Sequence, residues 1–349
     1  MGKRLDYVDI AKGLGILLVI MGHVEYRYVP SCGSVHIPLF FILAGYLCDL
    51  ERKNDISYGT CVGRRVKRLL IPYLIYNFLL WLKYILKIVV SHEFTVGLAA
   101  KSVAGFLYSA ALFYKDVPSS ENFEGFVFGN GPLWFLTAMA AASAVFYFVI
   151  YFVLRHRFDI KKILLSMVVL CVASWALCEY LPIYLPWSFE MALLGTIFML
   201  IGLCLRHYKV ADRIKKQFWL PIVCLVAFKL LHEVNGTANL ALQDYGKYMP
   251  LYILLGLLSF LVGLFVSVWL EKWAPANKIF SYIGQNTLII LALHMTILSV
   301  FVGVVGKIGF AWLLEWGGFF VIKFLVALLG SLAVYEILTR FIKVPKKFL

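Results

Sequence analysis

Charged side chains are scarce in this chain of 349 residues: they make up 15% of it, while hydrophobic residues make up 62%. A typical soluble domain is about a quarter charged, and no soluble core needs this much apolar surface. The scarcity therefore excludes a water-soluble fold. Acidic residues are scarcer than basic ones: the chain has 19 Asp and Glu against 33 Lys and Arg, which gives a formal net charge of +14.

Cysteine is present but forms no recognisable motif. The seven cysteines include no C-x-x-C pair and no Cys/His cluster with metal-ligand spacing, so no metal centre is predicted. Only Cys32 falls in a predicted outer loop, which leaves it no disulfide partner there. The first apolar run is interrupted by Asp9 and Lys12 and no A-x-A cleavage site follows it, so it is predicted to be a retained helix and not a signal peptide.

Long apolar runs dominate the rest of the sequence. They extend over about 18 to 22 residues, the length that a helix rising about 1.5 Å per residue needs to cross roughly 30 Å of hydrocarbon. We therefore predict an all-α polytopic membrane protein, a single domain over residues 1–349 with about ten transmembrane helices in one bundle. The predicted spans lie near residues 6–27, 35–50, 69–91, 132–154, 163–180, 189–205, 217–234, 249–270, 282–301 and 318–338.

The basic residues predict the orientation of these spans, because Lys and Arg collect in cytoplasmic loops. With both termini cytoplasmic, 23 of the 33 basic residues fall on the inner side and 5 on the outer side. Topology and anionic membrane lipid then explain the net charge, and no nucleic-acid partner is predicted. Residues 92–131 form the one long outer segment. Within it, residues 94–114 suit an interfacial helix before a substrate loop, and an extra pair of spans is the alternative.

Three ionisable residues, Asp9, Lys12 and His23, lie inside the first span, where a charge costs about 2.5 to 3.5 kcal/mol and should face protein or a cavity. At about 100° per residue, Lys12 and His23 share one face of a helix and lie roughly 16 Å apart along its axis. That is roughly the reach of an extended pantetheine arm, so a cofactor whose phosphates Lys12 held could place its thioester beside His23. Alternatively, Lys12 snorkels or pairs with Asp9, and His23 is a hydrogen-bonded core histidine.

Six segments of the chain stand out: DIAKGLGILLVIMGHV (9–24), VHIPLFFILAGYL (35–47), RRVKRLLIPYLIYN (64–77), GPLWFLTAMA (131–140), FEMALLGTIFMLIG (189–202) and IGQNTLIILALHM (283–295). Taken in order, they resemble the acyltransferase family 3 membrane proteins, and among them the fucose 4-O-acetylase-like group. The resemblance implies a multi-pass protein of the bacterial inner membrane that uses acetyl-CoA or another acyl-CoA and acylates a hydroxyl of an extracytoplasmic or lipid-linked glycan. The family usually places Arg, ten residues and then His in the first helix. Lys12 stands at the Arg position here, so a point charge replaces bidentate phosphate contact.

A cluster of four positive charges within residues 64–68 lies just before the predicted third span, on the cytoplasmic side. Arg65 and Arg68 in it match the R-x-x-R element of the family. The match favours binding of the nucleotide phosphates of coenzyme A by these two residues. The alternative is an anchor on anionic lipid that fixes the topology.

Two further histidines are candidates for the site. His36 opens the second span, and a short loop returns it to the outer-leaflet depth of His23. It is predicted to orient His23 or bind the acceptor, unless it merely caps a helix. His294 lies near mid-membrane in the ninth span, where a histidine marks a substrate pathway more often than in a soluble core but can also bond a neighbouring helix.

Acceptor recognition is predicted at Trp134, Glu190 and Asn239. An aromatic face stacks on the C–H surface of a pyranose, and a carboxylate accepts hydrogen bonds from its hydroxyls. Trp134 begins the fourth span, Glu190 begins the sixth, and Asn239 lies in the outer turn after the seventh. The alternatives are an interfacial belt position for Trp134 and an ordinary polar loop for Asn239.

The hypothesis for the chemistry is that His23 acts as general base and draws the proton from an acceptor hydroxyl that attacks the thioester carbonyl. An unperturbed histidine pKa of about 6.5 supplies the neutral imidazole that this needs near pH 7. A covalent acyl-histidine stays open as an alternative. Trp134 N–H, His36 or a backbone N–H are the candidates for stabilising the oxyanion. Ten spans with a few buried charges also describe a transporter or exporter, in which Asp9, Lys12 and His23 would line a translocation path.

Overall fold

The computed structural model describes residues 5–24, 35–50, 56–110, 113–115, 131–341 and 343. Eight helices among these residues are long and apolar enough to cross a membrane. The chain is therefore an all-α polytopic membrane protein, as predicted. The count of ten spans and the cytoplasmic placement of both termini stay predictions. Arg27, Cys32 and residues 116–130 of the predicted outer loop lie outside the described residues.

Capping side chains begin several of the helices. Ser57, Thr95 and Asp159 accept hydrogen bonds from backbone N–H groups of the first turns of the helices that follow them. Val149–Leu154 continue the fifth helix as a π-helix. In chain order the helices are α1 Asp6–Val24, α2 His36–Tyr46, α3 Tyr58–Val90, α4 Val96–Tyr108, α5 Trp134–Phe148, α6 Ile160–Tyr180, α7 Phe189–His207, α8 Val210–Ile214, α9 Leu220–Asn235, α10 Met249–Leu270, α11 Ala274–Gln285, α12 Thr287–Lys307 and α13 Phe319–Arg340.

Two of the ten predicted spans are shorter than a bilayer crossing. α2 has 11 residues and α9 has 16. A rise of about 1.5 Å per residue gives them lengths of roughly 17 and 24 Å, below the roughly 30 Å of the hydrocarbon core. The other eight predicted spans correspond to the eight long apolar helices.

The helix that contains the third predicted span begins earlier than the span itself. α3 starts at Tyr58, where Ser57 caps its first turn, and not near residue 69. Lys and Arg are good helix formers, so the basic cluster does not interrupt the helix. Arg65 and Arg68 therefore lie within α3, and because a helix of 33 residues is longer than a membrane crossing needs, their position before the span stays a prediction.

The ninth predicted span, residues 282–301, is divided between two helices. α11 ends at Gln285 and α12 begins at Thr287. Between them Asn286 is buried, and its side-chain Nδ2 donates to the Tyr282 carbonyl at 2.8 Å. This side-chain hydrogen bond competes with the helical pattern, which explains why the helix breaks there.

The predicted interfacial helix corresponds to α4, which has 13 residues. At roughly 20 Å it is too short to cross the hydrocarbon core. Over residues 92–110 and 113–115 the structure contains no long apolar helix, and so gives no support to an extra pair of spans.

Contacts divide the chain into two compact units. The first unit comprises Met1–Leu43, Leu205–Ala238 and Gly246–Leu349. In it α1 packs against α11 and also touches α10, α12 and α13. Gly13 and Gly284 let α1 and α11 approach closely, because a Cβ at Gly284 would overlap the Asp9 carbonyl and one at Gly13 would overlap the Phe280 carbonyl. The close packing of α1 against α11 therefore requires glycine, which has no side chain, at both positions.

Replacing Gly284 by alanine should destabilise the first unit. The added methyl group would meet backbone atoms of α1, which cannot rotate away, and we expect a loss of about 1–3 kcal/mol in the free energy of unfolding. Thermal unfolding of purified protein in detergent measures the effect. Gly303→Ala in α12 is the matched control: its added Cβ meets nothing within 4 Å, so it should leave the midpoint unchanged or raise it slightly. Equal midpoints for the two variants would contradict the packing argument.

The second unit comprises Ala44–Cys204 and Asn239–Tyr245. Its most buried helix is α7, where Thr196 Oγ1 donates to the Ala142 carbonyl of α5 at 3.2 Å. The end of α2 meets α7 where a Cβ at Gly45 would overlap the backbone of Met199. Helices α3 and α5 pack against each other in the same unit.

Candidate active site

The polar residues of α1 occupy one unbroken helix of the first unit. Lys12 Nζ lies 3.3 Å from Asp9 Oδ1, so the ion pair weighed as an alternative for Lys12 is present. Asp9 is buried, whereas the Lys12 side chain keeps 30% of its surface exposed. Because α1 runs without a break from Asp6 to Val24, Lys12 and His23 share a face, roughly 16 Å apart along the axis. His23 is exposed. The ammonium group and the imidazole therefore both keep part of their surface uncovered by protein atoms.

His23 meets a second histidine that is far away in sequence. The ring centroids of His23 and His294 lie 5.1 Å apart with a tilt of 45°. His294 is completely buried in α12, and its Nδ1 lies 2.8 Å from the Ile290 carbonyl oxygen. Its Nε2 is buried too, and across the described part of the chain it has no hydrogen-bond partner. The first unit thus holds a buried imidazole with one bonded and one unbonded nitrogen beside the candidate base.

His36 joins these two histidines. It is the first residue of α2 and is half-buried. Its ring lies close enough to interact electrostatically with His294, as the ring of His23 does. Three of the seven histidines, each predicted separately, therefore gather in one part of the first unit.

Arg65 and Arg68 lie one turn apart on α3, in the second unit. Arg65 is half-buried and interacts electrostatically with Tyr147 and Cys48, so it points into the protein, whereas Arg68 is exposed. Neither guanidinium has a carboxylate partner among the described residues. Within the described part of the chain, both guanidinium groups are thus able to pair with an anionic ligand.

Trp134 opens α5 and is only 6% exposed. A belt residue faces lipid headgroups, so this burial contradicts the belt position for Trp134. Its ring lies edge-on to Phe135, with centroids 6.3 Å apart. The indole of Trp134 is thus packed inside the second unit.

Glu190 is engaged within the protein. Its Oε2 accepts a hydrogen bond from Leu185 N–H at 3.2 Å, and its Oε1 accepts one from Gln243 Nε2. Gln243 Oε1 is buried and has no partner in the described residues. Glu190 therefore ties a loop to the start of α7. Asn239 is exposed on that loop, and its backbone forms two hydrogen bonds with the backbone of Asp244.

Tyr245 ends this loop and is half-buried. Burial raises the pKa of its hydroxyl, and the neighbouring Cys178 and Glu179 act in the same direction. The hydroxyl therefore stays protonated at neutral pH and is able to donate a hydrogen bond. Neither Tyr245 nor Gln243 belonged to the predicted site, because a polar loop residue gives no sequence signal of its own.

Sequence reasoning also missed a polar cluster on α3. Tyr73 Oη donates to the Phe106 carbonyl at 2.6 Å, and Asn77 Nδ2 donates to Tyr73 Oη at 2.7 Å. Tyr76 Oη and Asn77 Oδ1 are buried, with no hydrogen-bond partner among the residues that the structure describes. The available signal was an asparagine inside an apolar span, because burying a polar residue in a membrane costs free energy and such residues are usually functional.

Candidate metal ligands do not come together: the described residues contain no group of three or more His, Cys, Asp or Glu side chains placed to hold an ion. The sequence matches the family model of an acyltransferase domain over residues 5–336. No curated protein and no solved structure gives a significant match.

Proposed function

Because the chain belongs to the acyltransferase family whose domain it matches over residues 5–336, and is a multi-pass membrane protein, we propose that it is an O-acyltransferase of the bacterial inner membrane. It transfers an acyl group, normally acetyl, from cytoplasmic acyl-CoA to a hydroxyl of an extracytoplasmic or lipid-linked glycan, such as a fucose-like sugar. The observation that carries this proposal is the accessible His23, backed by two other histidines and aligned with Lys12 on α1.

The proposed chemistry uses His23 as general base. Its neutral imidazole takes the proton of the acceptor hydroxyl while that oxygen attacks the thioester carbonyl carbon. The C–S bond then breaks, the thiolate leaves and takes the proton back from the imidazolium, and the products are an ester and coenzyme A. In the two-step alternative the imidazole itself attacks and forms an acyl-histidine that the hydroxyl then resolves. Both routes need an exposed ring nitrogen, and the exposed side chain of His23 is consistent with this need.

The donor is proposed to be held by its phosphates. Arg65 and Arg68 have no carboxylate partner within the described residues, so their charge is available to an anionic ligand. Within the first unit, Lys12 offers a separate point charge on the face of α1 that leads to His23, and Asp9 orients it through their ion pair. The pantetheine arm would then extend along the roughly 16 Å between Lys12 and His23.

The acceptor is proposed to lie against the second set of predicted residues. Trp134 supplies a ring face and an indole N–H, and the exposed Asn239 supplies amide groups for sugar hydroxyls. Glu190 contributes indirectly, because its two carboxylate oxygens already hold Leu185 and the Asn239 loop. Anionic lipid is the remaining partner, bound by basic residues near the membrane surface.

The experiment that tests the proposal separates an enzyme from a transporter or exporter. Protein purified in detergent is incubated with acetyl-CoA and glycans from the cell surface, and the release of free thiol is followed together with the mass of the glycan. We expect thiol release that depends on the glycan, and a gain of one acetyl group on the glycan. Movement of an unmodified solute in proteoliposomes with no thioester dependence would instead establish transport.

A further inference from the structure

The contact between His23 and His294 suggests a role for the buried His294 in the proposed reaction. We propose that His294 is a positioning residue: its Nε2 accepts a hydrogen bond from a ring N–H of His23 and so leaves the other nitrogen of His23 free to act as the base. The inference rests on the proposed function. It assigns His294 to the machinery of the base and not to the substrate pathway that the sequence suggested for it.

The tautomer of His294 follows from its partner on α12. A carbonyl oxygen only accepts hydrogen bonds, so the 2.8 Å contact with Ile290 requires the proton to lie on Nδ1 of His294. A second proton on this fully buried ring would put an uncompensated charge in the protein interior, which is costly. Nε2 is therefore a bare acceptor.

The separation of the two rings suits a hydrogen bond between them. An imidazole nitrogen lies about 1.1 Å from its ring centroid and a nitrogen–nitrogen hydrogen bond is about 3 Å long, so two imidazoles bonded end to end have centroids about 5 Å apart. The observed separation is 5.1 Å. The proposed bond forms when the His23 ring turns one N–H towards Nε2, which has no hydrogen-bond partner among the described residues. The rotation also relieves the cost, about 1–3 kcal/mol, of leaving a buried acceptor unpaired.

The bond has a direct chemical consequence. A neutral imidazole carries one proton, so a His23 that donates to His294 presents a lone pair at its other nitrogen. When that nitrogen takes the proton of the acceptor hydroxyl, His23 becomes an imidazolium and its bond to His294 becomes charge-assisted and stronger. His294 stays neutral throughout. It thus favours the state that forms during the reaction, as the third group does in other nucleophile and base arrangements.

The test replaces His294 and compares the turnover number with the two Michaelis constants. His294→Leu keeps an apolar side chain of similar bulk and removes the acceptor. We expect kcat to fall about 100-fold, because a misplaced base costs about that much, with KM for donor and acceptor unchanged. His294→Gln keeps an oxygen able to accept from His23, and should recover at least a tenth of the wild-type kcat. A merely structural role predicts no such recovery.

The matched control is His232→Leu. His232 also lies in the first unit and has a buried, unpartnered Nε2 in the described part of the chain, but its ring stacks on Phe228 with centroids 5.8 Å apart. This variant should keep wild-type kcat. A wild-type protein with no thioester turnover would defeat the proposed function itself.

Other outcomes defeat only the role of His294, provided that the wild type is active. They are an unchanged kcat in His294→Leu, a rise in acceptor KM alone, or equal losses in the Leu and Gln variants with unchanged thermal midpoints. If the Leu variant does not fold, the Gln variant decides: retention of at least a tenth of wild-type kcat supports the inference, and anything less overturns it.

Discussion

His23→Ala is expected to abolish glycan-dependent thiol release, with a fall in kcat of about 10²- to 10⁴-fold. That is the range for losing a positioned general base, and a covalent route would lose at least as much because the nucleophile would be gone. His23 is exposed at the end of α1, so removing its side chain opens no cavity in the core and should leave the thermal midpoint in detergent within a few degrees of wild type. Thiol release and glycan mass together measure the result.

The matched control for this variant is another exposed histidine. His92 lies outside the three-histidine cluster and has a φ of 59°, a left-handed conformation that asparagine tolerates well. His92→Asn should therefore keep both fold and activity. Wild-type turnover in His23→Ala would remove histidine base catalysis from the proposal, even if the acetyl group still reached the glycan.

The membrane architecture was predictable because hydrocarbon leaves a spanning chain few options. Each backbone polar group must be satisfied within its own helix, so an apolar run of sufficient length is almost obliged to be helical. The same rule makes the face shared by Lys12 and His23 a safe prediction, since α1 is unbroken. Boundaries were less predictable. The cap at Ser57 and the side-chain bond of Asn286 move α3 and α12 by several residues, and hydropathy does not detect either one.

Contacts between distant segments could not be predicted. His294 was a candidate because ionisable residues are rare in spans, yet nothing local indicates that it meets His23 from another helix. Glu190 presents the opposite case. Its residue type suggested sugar binding, but its oxygens are taken up by Gln243 and Leu185, and only tertiary structure reveals such partners. Side-chain chemistry could be read from the sequence, whereas the partner of each group depends on how helices pack.

Arg65→Gln is expected to raise KM for acetyl-CoA by about 10- to 100-fold. A charge-assisted hydrogen bond to phosphate contributes about 1.5 to 3 kcal/mol. No carboxylate among the described residues pairs with the Arg65 guanidinium, so none competes with the phosphate for it. The decisive comparison is acetyl-pantetheine, which carries the same thioester without the nucleotide phosphates. Its KM should be the same in the variant and in the wild type, because the lost contact involves only phosphate. Initial rates of thiol release with both donors measure the difference.

Lys67→Gln is the matched control, because it removes a positive charge two residues away on α3 from an exposed side chain. It should change KM for neither donor. If the basic cluster served only as a topological anchor on anionic lipid, both variants would lower the amount of inserted protein and neither would alter KM. An equal rise in KM for acetyl-CoA and acetyl-pantetheine would also refute phosphate binding by Arg65, since it would mean that the binding site for the acyl arm itself had been distorted.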